Sequence, residues 1–300
     1  MAATLLLWSG FFLSLRGGAH SELTTADIAL ARFLIPCIVL LPLVLKSIKL
    51  IQKVPKRYML GMFVGCGLPY LLVAGTGMQM APVSDGSALI PGTLPLFVSG
   101  IAVVLFRQPL SSHRILGLML VLGGIAAFLF QGFGHSGNGL LTGYVLFLLG
   151  SMMWATFTIC ARVSNLNPLV AAGVISFLST LGLIPLIATG MLKSHLIATS
   201  VADWPWKELA GHITLQGIGA GLVAAFTYLH AISVLGAERT AAFGAATPAI
   251  ATLLAIPVFN EQPTLLGWFA LGMVCVGSLI ASNIFMKQDT SLLYQPPKFK

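Results

Sequence analysis

Two stretches of the chain read alike: Trp8-Ser9-Gly10-Phe11-Phe12-Leu13-Ser14-Leu15-Arg16 and Trp154-Ala155-Thr156-Phe157-Thr158-Ile159-Cys160-Ala161-Arg162. In both, phenylalanine and arginine follow the tryptophan at the same offsets, so the two align without a gap. Other features recur in the same order. Phe33-Leu34 is matched by Phe177-Leu178, Pro95 by Pro248, and Gln108-Pro109 by Gln262-Pro263. The chain is therefore a duplicated series of apolar segments, and the length of those segments decides the fold.

Ten runs approach or exceed the roughly 20 apolar residues that a bilayer-spanning helix needs. They are Ala2–Leu15, Ala26–Leu45, Tyr58–Met80, Ser84–Phe106, Ile115–Phe130, Leu140–Ala161, Pro168–Gly190, Ile213–Leu235, Thr240–Phe259 and Thr264–Phe285. The runs are long and do not alternate, which argues against membrane strands. Of 300 residues, 57% are hydrophobic and only 8% charged, against about 25% charged in a soluble domain. Glycine and proline are scattered along the runs, as in membrane helices. The first run could also be a signal-peptide core, with Gly17-Gly18-Ala19-His20 near a cleavage site. It lacks a positive n-region, so a short or tilted helix is the better reading. Cys37, Cys66, Cys160 and Cys275 lie singly in apolar runs and read as small packing residues.

A net charge of +8 would suit nucleic acid, but the cations are not interleaved with aromatics in a groove. They cluster in the loop Lys46, Lys49, Lys53, Lys56 and Arg57, and at Arg107, Arg114, Arg162, Arg239, Lys287, Lys298 and Lys300. All of these fall on one side if the helices alternate, and the positive-inside rule makes that side, with both termini, cytoplasmic. The other side carries Arg16, Lys193 and Lys207, and a loop over Met191–His212 whose Trp204-Pro205-Trp206 suits the headgroup level. Five helices per repeat is an odd number, so the halves cross in opposite senses. The expected fold is an all-α integral membrane protein of ten transmembrane helices in two inverted five-helix repeats, residues 1–132 and 139–286, with a cytoplasmic tail over 287–300. Inverted repeats are an architecture of secondary transporters.

With its paired Trp motifs, Ala31-Arg32-Phe33-Leu34, the mid-helix prolines and the acidic turn Phe259-Asn260-Glu261-Gln262-Pro263, the chain resembles the ten-helix branch of the drug/metabolite transporter superfamily, which has two EamA-type repeats. Nearly the whole chain is covered. In the first repeat Arg107 stands where the acid is expected. The resemblance implies a central cavity lined by helices one, three, four, six, eight and nine, and export rather than import.

The candidate substrate-binding residues are Trp8, Phe12, Pro95, Trp154, Phe157, Tyr228, His230 and Pro248. The tryptophans offer paired aromatic walls at mid-helix, or helix packing. Pro95 and Pro248 each remove a helix hydrogen bond near mid-span, predicting kinks that line the cavity. His230 could carry a coupling proton or simply bond a neighbouring helix. Tyr228 is about 200° from it on a helix, so the two do not share a face. Arg32 could clamp a carboxylate, but a structural, snorkelling arginine is favoured. Asp27, Asp85, Glu238 and Glu261 fall at helix ends and read as caps or solvated groups. Gly61-xxx-Gly65 and Gly217-xxx-Gly221 read as packing seams.

Mid-membrane acid is missing from the first helix, which weakens a cationic-drug reading. No His-x-x-x-His, Glu-x-x-His or Gly-x-Ser-x-Gly pattern supports a membrane enzyme. The expectation is a non-enzymatic exporter of small polar or zwitterionic metabolites such as amino acids, in a cell inner membrane or plasma membrane. A passive facilitator or multidrug exporter of the same fold is the alternative. The expected partners are a small-molecule substrate and the lipid bilayer, not nucleic acid; a homodimer is left open. No cofactor or metal is expected.

Overall fold

The computed structural model describes residues 2–107, 109–134, 139–224, 226–228 and 243–282. Among these residues every regular element is a helix. Helix α1 is Ala2–Ala19, running one turn beyond the expected Leu15, so Arg16 lies in its last turn. Helix α2, Thr25–Lys46, begins at a capping box in which Thr24 and Asp27 satisfy each other's backbone N–H groups. Helix α3 spans Lys56–Met80, α4 Val83–Leu105, α5 Ser112–Gly134, α6 Leu140–Ser164 and α7 Pro168–Ala188. Helix α8 begins at Trp206, ahead of the expected Ile213, and is wound as a π-helix over Ile213–Val223. Helices α9, Thr247–Phe259, and α10, Leu265–Ala281, complete the set.

Seven of these segments, α2 to α7 and Trp206–Tyr228, are long and apolar enough to cross a membrane; α9 and α10 are shorter apolar helices. The outward surface is apolar. Leu265 is 90% exposed, Val104 76% and Phe130 73%, a surface that suits lipid and not water.

Three helices are interrupted, each for a local reason. In α3, Gly67 leaves the helix at φ −89°, ψ −152°, and Pro69 opens the next segment, Leu68–Met80. In α4, the turn over residues 90–93 separates Val83–Leu89 from Leu94–Phe106. A similar turn at residues 245–246 precedes α9. Pro95 and Pro248 each fall in the first turn of the helix that follows. They therefore do not kink a continuous helix, as the sequence suggests. They start one, at a position where the missing N–H is not needed.

Small residues set the packing. Helix α5 lies closest to α10, where Gly117 and Gly277 bring the two backbones together. Helix α2 packs on α7 where Gly173 admits Leu40 and Val44. Gly61 and Gly65 of α3 face Cys160, Thr156 and Phe157 of α6, while Gly217 and Gly221 of α8 face Ala31, Ile35 and Pro36 of α2. Both seams are thus helix contacts, as their spacing predicts.

Candidate functional site

The bundle interior holds a chain of aromatic rings drawn from α1, α3 and α6. Phe11 contacts Phe12 edge-on, with centroids 5.2 Å apart, and stacks on Tyr70 at 6.4 Å. Tyr70 meets Trp154 edge-on at 5.0 Å, and Trp154 meets Phe157 at 5.9 Å. Tyr70 reaches this place because it directly follows the Gly67-Leu68-Pro69 break. Trp8 lies apart from the chain, against Tyr228 of α8 at 5.1 Å.

Arg32 joins this cluster from α2. Its guanidinium sits 5.3 Å from the Phe11 ring centroid, and Nη1 donates to the Gln216 carbonyl of α8 at 3.1 Å. The Cys66 thiol and Tyr70 hydroxyl are its electrostatic neighbours. The snorkelling reading is thereby corrected: the side chain turns into the bundle, because an aromatic face and a π-helix carbonyl await it there. Tyr70 is buried and, among the described residues, its hydroxyl has no hydrogen-bond partner, as is true of Oε1 of the buried Gln216.

The helix breaks border the same region. A Cβ on Gly150 of α6 would touch both Tyr70 and Ile90, placing the α4 turn beside the aromatic chain. There Thr93 donates to the Leu89 carbonyl at 2.5 Å, and its hydroxyl lies 2.8 Å from that of Ser151. At the α9 break, Ser9 of α1 reaches the Thr247 carbonyl at 3.5 Å, and Gly244 faces Trp8. The Pro248 carbonyl accepts from Thr252 at 2.8 Å and from Ser87 at 3.5 Å. The Leu89 carbonyl, at the end of the segment before the α4 break, is thus taken up by a hydroxyl, as apolar surroundings require.

One end of the bundle is tied by charged groups. Arg16 Nε donates to Glu261 Oε1 at 2.5 Å, and Arg16 Nη1 to the Met78 carbonyl at 2.6 Å. The other Glu261 oxygen accepts from the Val83 N–H at 3.0 Å. The side chains of Arg16 and Glu261 are only 15% and 16% exposed. Nearby, Tyr144 and Ser84 both donate to Asp85 at 2.7 Å, Gln131 donates to Tyr144 at 3.0 Å, and Thr264 donates to Gln131 at 2.7 Å. Asp85 is 2% exposed and Glu261 is ion-paired, so neither is the solvated group that its helix-end position suggests. Asp27 caps α2 as expected.

Asn260, at φ 55°, turns the chain so that Glu261 points back across the bundle. Arg107 takes the same left-handed conformation after α4, at φ 51°. Arg107 is therefore the counterpart of Asn260 and not of Glu261.

Of the residues singled out by sequence, the structure joins Phe12, Trp154 and Phe157 through Phe11 and Tyr70, and pairs Trp8 with Tyr228. Pro95 and Pro248 border the breaks. His230, Gln108, Glu238, Arg239 and the tail over 287–300 lie outside the described residues. Tyr70 was not anticipated, although Gly67-Leu68-Pro69 announces the break that aims it; an inward Arg32 is the alternative that the sequence ranks below snorkelling. Among the described residues, no group of three His, Cys, Asp or Glu could hold a metal.

Residues 141–283 match the EamA-like transporter family. The uncharacterized inner membrane transporter YedA of Escherichia coli strain K12 is 28% identical over 281 residues, covering 91% of this chain and 86% of its own. Its counterpart in strain O157:H7 matches to the same degree. A solved crystal structure with no functional name has 19% identity and a TM-score of 0.60, over 93% of each chain; it shows a shared fold alone. The second half of the chain is thus similar to the EamA-like transporter family, and nearly the whole chain to an inner membrane transporter.

Proposed function

We propose that this protein is a secondary transporter that exports small polar or zwitterionic metabolites, amino acids first among them, by alternating access. The observation that carries the reading is the Phe11–Tyr70–Trp154–Phe157 chain with Arg32 at its edge, where the first and second halves of the sequence meet. Aromatic faces suit the apolar part of such a solute, and the arginine and hydroxyl groups suit its polar part.

Cross-pairing of the halves supports ten crossings in two inverted repeats: α2 with α7, α5 with α10, α4 with α9, α1 with α9, and α6 with α4. The last two contacts are related by exchange of the repeats, and each places a Trp-bearing helix beside a break. Interrupted helices at the repeat interface are where such transporters bind their cargo. The charge distribution supports a cytoplasmic basic end, and the YedA likeness supports an inner-membrane location. Export follows the family resemblance.

Proteoliposomes with a panel of labelled amino acids, nucleosides and organic cations, with and without a pH gradient, test the reading. Saturable movement of amino acids, reduced at least tenfold by Trp154→Ala, is the expected result. Movement of organic cations alone would favour a multidrug exporter, and indifference to the pH gradient a passive facilitator.

A further inference from the structure

We propose that Arg32 and Tyr70 form a subsite for the carboxylate of the transported solute, with the solute's apolar part against Phe11 and Trp154. The inference rests on the transporter reading above for the place of the cargo, and adds the ionic class that the place selects.

Three observations carry it. First, Arg32 is a cation inside an apolar bundle. Between described residues, its one hydrogen bond to an oxygen acceptor is to the Gln216 carbonyl, and the ion pairs among those residues lie elsewhere. A guanidinium offers five N–H donors in a planar fork. A thiol and an aromatic face, its other neighbours, leave most of that fork without a strong acceptor. An ionisable group within the membrane points to a ligand or ion pathway.

Second, the Tyr70 hydroxyl is buried, beside this guanidinium, and has no partner among the described residues. A buried hydroxyl without a partner is costly. It is a ready second donor for an oxygen that the guanidinium has already attracted. Third, the two donors stand against aromatic faces, Phe11 below the guanidinium and Trp154 edge-on to Tyr70. A carboxylate accepts two parallel bonds from a guanidinium, and such pairs are the stronger hydrogen bonds. A primary ammonium brought to the same place would meet a cation and no acid. The arrangement therefore selects for an aromatic carboxylate or amino acid and against the corresponding amine.

The test is binding by the purified full-length protein in nanodiscs, which does not depend on transport. Four probes are used: L-phenylalanine, 3-phenylpropionate, L-phenylalanine amide and phenethylamine. The wild type is expected to bind the two carboxylates roughly 10- to 100-fold more tightly than the two amines, the range that one charge-assisted contact supplies. Arg32→Gln should erase that preference, leaving binding of the amines within about threefold, and Arg32→Lys should restore part of it. If Arg32→Gln does not fold, Tyr70→Phe gives the reading: a 3- to 10-fold loss for carboxylates alone.

A preference that survives Arg32→Gln overturns the inference, as does equal loss for all four probes in Tyr70→Phe. Failure of folded wild type to bind any probe overturns it too. Arg32-dependent binding without movement across proteoliposomes would remove the transport reading and keep the subsite. Transport indifferent to the carboxylate would do the opposite.

Discussion

The two ends of the bundle are built differently. Every described aspartate and glutamate lies at the end that holds Glu261: Glu22, Asp27, Asp85, Asp203, Glu208 and Glu261 itself. The other end carries Lys46, Lys49, Lys53, Lys56, Arg57, Arg107, Arg114 and Arg162, with no described acid among them. At the Glu261 end, side chains bridge distant elements: Arg16 to Glu261, Glu261 to Val83, Asp85 to Tyr144, Ser14 to His212 at 2.7 Å, and Ser194 to Asp27. Towards the basic end, the described cross-helix bonds are fewer, with Arg114 to Ser99 at 3.1 Å and Thr4 to Thr227 at 3.0 Å. The difference teaches that one end is held by directional bonds between distant elements. Among the described residues, the basic end depends less on such bonds. Under the alternating-access cycle proposed above, the tied end has to release.

Five single substitutions break or sharpen that contrast. Glu261→Gln removes the charge that holds Arg16 while keeping the size of the side chain. It should cost about 2 kcal/mol of stability, between the values for exposed and buried pairs. Arg16→Gln should cost a similar amount, and the double variant less than the sum, read as melting temperatures in detergent. Tyr144→Phe leaves Asp85 Oδ2 without its donor and should cost about 1–2 kcal/mol by the same measurement. Pro248→Ala, at a first-turn position, should change stability by less than about 1 kcal/mol and leave helix content by circular dichroism unchanged. Lys49→Gln at the basic end should stay within about 0.5 kcal/mol of the wild type. Equal losses at both ends would dissolve the contrast.

Much of the fold was legible in the sequence, because an apolar run long enough to cross a bilayer is a local property. The duplication also pointed to Trp154 and Phe157, since a repeated aromatic at fixed offset needs no knowledge of contacts. The prolines were harder. Pro95 reads as a mid-span kink until Pro91-Gly92 is recognised as the turn that ends the preceding helix. Arg32 could not be placed, because a helix face alone does not say whether Phe11 or the membrane surface lies next to it. Asp85 failed for the same reason: its partner Tyr144 is 59 positions away. Arg107 and Asn260 became equivalent only through their shared left-handed backbone, which a comparison of residue types conceals.

The measurement that bears most directly on the account is solute counterflow with the tied end locked. Arg16 and Glu261 are replaced by cysteine in a background with the native cysteines removed, and joined by a reducible bis-methanethiosulfonate bridge. The account predicts that bridging stops counterflow of labelled L-phenylalanine and that reduction restores it. Counterflow that continues at an unchanged rate across the bridged protein would contradict it, since the solute would then pass without release of that end.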